Sequence, residues 1–295
     1  MTERGVSFDT KDAFIRPLIE GSTRVALDLF EDPDAAHGAS GVASQIHDFA
    51  GEMARTLTAR VEEVRRLPLA CEEGCSYCCR GTPVLVSAPE AIALATHLRK
   101  TRTSEELEAL REKVAATHAR VRDLDVDARA EAKEACPLLD TERGVCTAYE
   151  ARPTACRAYN SCDRSRCAEA FDAGLASPTL PSNPILFRAT HASGFGLMVA
   201  TELRGLETGP YELVNALDTA LADADIERRW AAGETVFSHT RLSDEGAIAF
   251  RDIITGLASD FREGRMRETV KIAQKLDPEA RRRERNRRKA QGKKR

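Results

Sequence analysis

Nine cysteines lie between Cys71 and Cys167, and the rest of the 295-residue chain has none. The positions are Cys71, Cys75, Cys78, Cys79, Cys136, Cys146, Cys156, Cys162 and Cys167. Cysteines used as small core hydrophobes would be scattered along the chain. Thiols concentrated in this way act as staples, as ligands or as redox partners, and each role demands that distant segments be brought together.

Length and composition separate those roles. A 32.3 kDa chain has enough residues to build a core without covalent staples. No apolar run approaches the length of a membrane span, and the start MTERGVSFDT has neither the basic end nor the apolar segment of a secretory signal. The expected location is therefore cytoplasmic, where structural disulfides are uncommon and cysteine clusters serve as ligand sets or redox centres.

The first group reads CEEGCSYCCR, residues 71–80. Cys71, Cys75 and Cys78 share one side if this stretch is helical, whereas Cys75-x-x-Cys78 grips a metal from both ends if it is a turn. Either geometry gathers thiolates whose charge needs a cation or cluster beside it. Zinc and iron-sulfur clusters both take such donors. The second group opens with CPLLDTERGVC, where Pro137 opposes a helix and Asp140 to Gly144 has turn composition, so a small hairpin presents Cys136 and Cys146. The third is YEARPTACRAYNSCDRSRC, residues 149–167. Arg152 and Arg157 flank Cys156 and are placed to offset thiolate charge, with Tyr149 and Tyr159 packing over the site.

In order, Cys71-x-x-x-Cys75-x-x-Cys78-Cys79, Cys136-Pro137-Leu138-Leu139, Gly144-x-Cys146 and Tyr149-Glu150-x-Arg152-Pro153-x-x-Cys156-Arg157 resemble the YkgJ-type cysteine-cluster family. The resemblance runs over roughly residues 68–170. It implies a zinc- or iron-chelating domain whose metal or iron-sulfur site is built from about eight cysteines, those just named with Cys162 or Cys167. The family in turn is similar to the cysteine-rich part of flagellin lysine-N-methylases, which implies a link to protein modification. Nothing beyond residue 170 matches a methyltransferase, so whether the chain is an enzyme stays open.

The remainder reads as helix, giving a mainly α fold with cysteine-rich metal-binding loops on a helical scaffold. Phe14 to Phe30 has a helical apolar pattern. A longer amphipathic run from Val42 to Val64 leads to Pro68, which stops it. Ser87 with Glu90 and Thr103 with Glu106 form capping boxes at the starts of two further helices. TPVLVS is the one strand-like run. After the proline-rich SPTLPSNP come three helical segments, beginning near Ile185, Tyr211 and Asp244. The expected organisation is a helical cysteine-cluster domain over 1–176, a helical subdomain over 185–261 and a basic, structureless tail over 262–295. Gly194 and Gly196 match no nucleotide-binding fingerprint and suit a close helix contact instead. Among the six histidines only His191, just past the linker, is placed to fold back towards the thiols.

Residues 262–295 carry a net charge of +10, which leaves −13 on the body. Such a tail supports nonspecific nucleic-acid contact or screening of the chain's own acidic body, and without aromatic residues it offers no base stacking. A protein partner is the contact expected if the cysteines hold zinc and scaffold a partner surface. The expected cofactor is an iron-sulfur cluster of the 4Fe-4S type, with zinc in a structural or partner-binding scaffold as the alternative. Thiol exchange at Cys75–Cys78 is a third reading, weakened by the lack of a βαβ context. Cys75, Cys78 and Cys156 are the firmest ligand candidates, and Cys162 and Cys167 the most dispensable.

Overall fold

The computed structural model describes residues 8–31, 38–175, 180–237 and 244–266. The described chain is mainly helical. In order it forms α1 (Ile15–Glu31), α2 (Ala39–Ala59), the single turn α3 (Glu62–Arg65), a 3₁₀ turn at Tyr77–Cys79 and the short strand β1 (Leu85–Val86). Next come α4 (Ala88–Thr101), α5 (Ser104–Val121), α6 (Val126–Ala132), the strands β2 (Leu139–Asp140) and β3 (Val145–Cys146), and a second 3₁₀ turn at Tyr149–Ala151. The sequence closes with α7 (Thr154–Ala158), α8 (Arg164–Asp172), α9 (Pro184–Leu203), β4 (Tyr211–Glu212), α10 (Leu213–Ala222), α11 (Ile226–Ala231) and α12 (Asp244–Arg262).

Both capping boxes form. The Ser87 hydroxyl accepts the Glu90 amide and Glu90 accepts the Ser87 amide, and Thr103 and Glu106 do the same at α5. Each fixes a helix start by about 1 kcal/mol. The run expected from Val42 to Val64 breaks earlier, at Val61, whose backbone is extended (φ −115°, ψ 103°). Its buried stripe ends at Ala54, so the residues beyond have no core to hold them helical. TPVLVS contributes only the two residues of β1, which pair antiparallel with β4. The hairpin expected between Cys136 and Cys146 is present, with Leu139 opposite Cys146. The charged, thiol-bearing helices α7 and α8 have no apolar periodicity that would announce them.

Helix α9 is the centre of the molecule. Twelve of its twenty residues are buried, because α1, α2, α7 and α12 all pack against it. These contacts join segments on both sides of residues 177–184. A second core lies between α4, α5 and α10, where Ile92, Leu94, Leu98, Val114, Leu217, Leu221 and Trp230 are almost fully enclosed. Cys136, Cys146 and Cys156 lean on the edge of this second core.

The two glycines of α9 permit close approach. A Cβ at Gly196 would stand 2.4 Å from the Ser22 Cβ and 2.8 Å from the Thr23 amide nitrogen of α1. A Cβ at Gly194 would meet the Thr154 hydroxyl of α7 at 2.3 Å. The backbone of α1 cannot swing away without opening the core of Ile15, Ile19, Met198 and Val199. Gly196→Ala is therefore expected to destabilise the protein by about 1–3 kcal/mol, the usual range for overpacking. Denaturant unfolding of this variant beside Gly21→Ala, whose added Cβ meets no atom within 4 Å, measures the effect.

Candidate metal centre

Backbone contacts draw the three cysteine segments together. The Cys136 amide donates to the Cys79 carbonyl at 2.8 Å and the Gly81 amide donates to the Glu134 carbonyl at 2.8 Å, which lashes the first segment to the second. Gly74 and Gly144, both at positive φ, lie back to back. A Cβ on Gly144 would come within 2.8 Å of the Gly74 carbonyl oxygen. The third segment joins through the Ala70 amide, which donates to the Ser161 carbonyl at 2.8 Å, and through the Ser161 amide, which donates to the Cys71 Sγ at 3.2 Å. The side-chain oxygen of Asn160 accepts the Asn183 amide at 2.7 Å, fastening this segment to the start of α9.

Cys156 has the most elaborate support. It sits in the first turn of α7, two residues after Thr154. Both the Thr154 amide and its hydroxyl donate to Glu90 Oε1 at 2.7 Å. The other carboxylate oxygen accepts the Ser87 amide at 3.0 Å and hydroxyl at 2.8 Å, and His47 Nε2 lies 3.4 Å from Oε1. Glu90 is 1% exposed, so one buried carboxylate ties α2, α4 and α7 together. Burial alone would push its carboxyl up. The hydrogen bond and charge of His47, with the amides of Ser87 and Thr154, outweigh burial and bring it from 4.5 down to about 2.

The thiols form two overlapping neighbourhoods. Cys71, Cys75, Cys162 and Cys167 belong to one, Cys136, Cys146 and Cys156 to the other, and Cys78 acts electrostatically on members of both. Burial pushes the thiols of Cys71, Cys146, Cys156, Cys162 and Cys167 up, and takes Cys136 to about 12. Cys78 meets solvent at its outer edge while protein crowds its thiol. Its hydrogen bond with Cys79, and then burial, raise it well above the ordinary range. All nine cysteines are free, and among the described residues no group of three or more His, Cys, Asp or Glu side chains is closed into a metal-holding arrangement.

The flanking residues divide by task. The charge of Arg152 favours the thiolate at Cys71, Cys78, Cys146 and Cys156, and its guanidinium lies 3.6 Å from the centre of the exposed Tyr149 ring. Arg157 instead braces the backbone, with Nε donating to the Arg152 carbonyl at 2.6 Å and Nη2 to the Glu150 carbonyl. Burial and then the nearby Cys156 and Cys78 raise the Tyr159 hydroxyl, which places that ring beside the second neighbourhood. His191 packs against Phe8 and Phe187, and burial of its ring lowers its pKa to about 4, so it is a neutral, half-buried packing residue. Glu90 was legible only as half of a capping box. Its grip on Thr154, 64 positions away, leaves no local signal.

The donor chemistry suits the metals this pattern implies. Thiolates select zinc and iron-sulfur clusters, and protons held on crowded thiols are what a bound cation would displace. Residues 70–173, about a third of the chain, match the model of the CxxCxxCC family, described as a "putative zinc- or iron-chelating domain". This is the YkgJ-type cysteine-cluster family whose motifs the sequence carries. No curated protein and no solved structure matches the chain.

Glu90 supplies a pH test. A carboxyl whose folded pKa lies below its unfolded value adds stability above about pH 4.5, and that stability is lost as the pH falls towards about 2. The contribution at neutral pH is on the order of 3 kcal/mol. Glu90→Gln is expected to lose stability at pH 7 and to flatten the unfolding curve between pH 4.5 and pH 2, as measured by denaturant titration across that window.

Proposed function

We propose that the chain is a metal-binding protein in which the thiolates of residues 71–167 hold an iron-sulfur cluster of the 4Fe-4S type. The observation that carries this reading is the backbone lashing of three separate cysteine segments to one another. That gathering needs Gly74 back to back with Gly144 and a buried carboxylate under Thr154. A chain gains little from tying three segments of crowded, free thiols to one another unless a cation offsets their charge.

Within this reading, Cys75, Cys78 and Cys156 are the central ligands. Cys71, Cys79, Cys136 and Cys146 complete the set, and Cys162 and Cys167 stand at its edge. Cys78 is the thiol common to both neighbourhoods, and Cys156 is the one most firmly held. Arg152 screens the accumulated negative charge, Arg157 keeps the Glu150–Arg152 turn in shape, and Tyr149 and Tyr159 cover the site. The cluster, when bound, supplies electron transfer or a redox-active support for protein modification. The residues themselves position it, limit water and balance its charge. The ligand supply above four and the nearby Arg152 favour iron-sulfur over a single zinc.

The same reading puts the protein in the cytoplasm, with a cysteine-cluster region over 1–176 and a helical region over 185–261 that share the α9-centred core. The basic tail over 262–295, which from residue 267 lies outside the described residues, screens the acidic body or contacts nucleic acid or a protein partner. No helix among the described residues is long and apolar enough to cross a membrane.

Anaerobic purification followed by metal and acid-labile sulfide analysis tests the assignment. Iron with equal sulfide and visible absorption is expected, and a colourless protein with stoichiometric zinc would replace the cluster by the zinc scaffold. Cys75→Ser and Cys156→Ser are expected to lose the metal and to cost several kcal/mol of stability, on the order seen when structural metal binding is coupled to folding. Cys167→Ser should cost much less. Full metal content and unchanged stability in both Cys75→Ser and Cys156→Ser would show that the site lies elsewhere.

A further inference from the structure

We propose that His47 anchors a second site, in which an uncharged small molecule seats a hydroxyl or N–H donor on the free ring nitrogen of this histidine. The site is the cleft lined by α2, α4 and the Tyr149–Ala151 turn. Its volume of about 730 Å³ lies in the range of small-molecule sites, and no thiol is among its lining residues. It stands apart from the metal assignment.

His47 is a buried base with one open atom. It is only 3% exposed, yet it lines the cleft. Its Nε2 faces Glu90 Oε1 at 3.4 Å. Glu90 is ionised at neutral pH, with its carboxyl brought down to about 2, and a carboxylate can only accept. The ring proton therefore sits on Nε2, which leaves a bare lone pair on Nδ1. Among the described residues Nδ1 has no hydrogen-bond partner. Nor is it sealed from solvent, as the unpartnered Nε atoms of Arg16 and Arg129 are. For so deeply buried a ring, the opening is the cleft.

The surroundings favour a ligand without charge. Lys100 and Arg157 share the walls with Asp48 and Glu150, so the formal charges cancel, and Asp48 acts directly on Arg157. Ser44 and Thr96 add hydroxyls to the lining, each able to donate or to accept. A ligand with a donor satisfies Nδ1, whereas one of the same shape without a donor leaves that buried lone pair unpaired, which is the stronger form of discrimination. The same contact prepares a proton transfer. The proton of a bound hydroxyl passes to Nδ1, the oxygen keeps the electron pair of the broken bond, and Nε2–H of the resulting imidazolium stays on the Glu90 carboxylate. That is the arrangement of an oriented general base.

Phenol and anisole share a ring, and only phenol carries a donor, so isothermal titration calorimetry of the metal-loaded protein with each tests the site. Phenol is expected to bind saturably, at least fivefold more tightly than anisole, and to shift the His47 Nδ1 resonance of isotopically labelled protein along the same saturation curve. His47→Phe keeps a ring and removes the acceptor, so the advantage of phenol over anisole should vanish. That variant also takes a partner from Glu90, so its fold is checked by circular dichroism. Should it not fold, the two probes and the Nδ1 shift in the unaltered protein decide the matter. No saturable phenol binding, equal affinity for the two probes, an unmoved Nδ1, or a phenol advantage that survives in folded His47→Phe would overturn the proposal. Metal content is read in the same samples, so failure of this site and failure of the metal assignment are separate results.

Discussion

The buried carboxylate of Glu90 is the contact that holds the segment carrying Cys156 in place. It accepts hydrogen bonds from Ser87 and Thr154 and faces His47, so a single side chain links the starts of α4 and α7 to the middle of α2. A charge in the core is tolerated only when its lone pairs are satisfied, and here both oxygens are. Removing any one partner would leave part of that charge uncompensated. The geometry at Cys156 is therefore set by groups that touch no thiol. Gly194 completes the arrangement, since any side chain there would occupy the space of the Thr154 hydroxyl.

From that anchor the rest of the site follows by short backbone links. The Tyr149–Ala151 turn and α7 are braced by Arg157, the hairpin brings Cys146 next to Leu139, and the Cys136 amide reaches back to Cys79. Crowding raises the thiols of Cys136 and Cys156, while Arg152 pulls Cys156 and Cys146 the other way. A cation held there would take the place of those protons and offset the repulsion between crowded thiolates.

Much of the scaffold was legible in the sequence because its signals are local. Ser87 with Glu90 and Thr103 with Glu106 announce their helices, and Asp140 to Gly144 announces the hairpin turn. The glycines of α9 also read correctly as a close contact. Less legible were features decided by distant partners. Helix α2 stops at Ala59 because its buried face runs out, and β1 exists only because Tyr211 and Glu212 lie beside it. Helix α7 is five residues long and held by Glu90, which no local pattern reveals. For the site, the cysteine motifs and Arg152 stood out in sequence. The supports at Glu90, Ser161 and Asn160 did not, because ordinary capping and turn residues gain their meaning from tertiary contacts.

The most direct measurement is X-ray absorption at the metal edge of anaerobically purified protein, which reads the atoms bound to the metal. The account predicts a first shell made of sulfur, at about 2.3 Å if the metal is zinc. An iron-sulfur cluster would add iron neighbours in the second shell. A first shell of nitrogen and oxygen would contradict it, because the cysteine thiols would then not be what holds the metal.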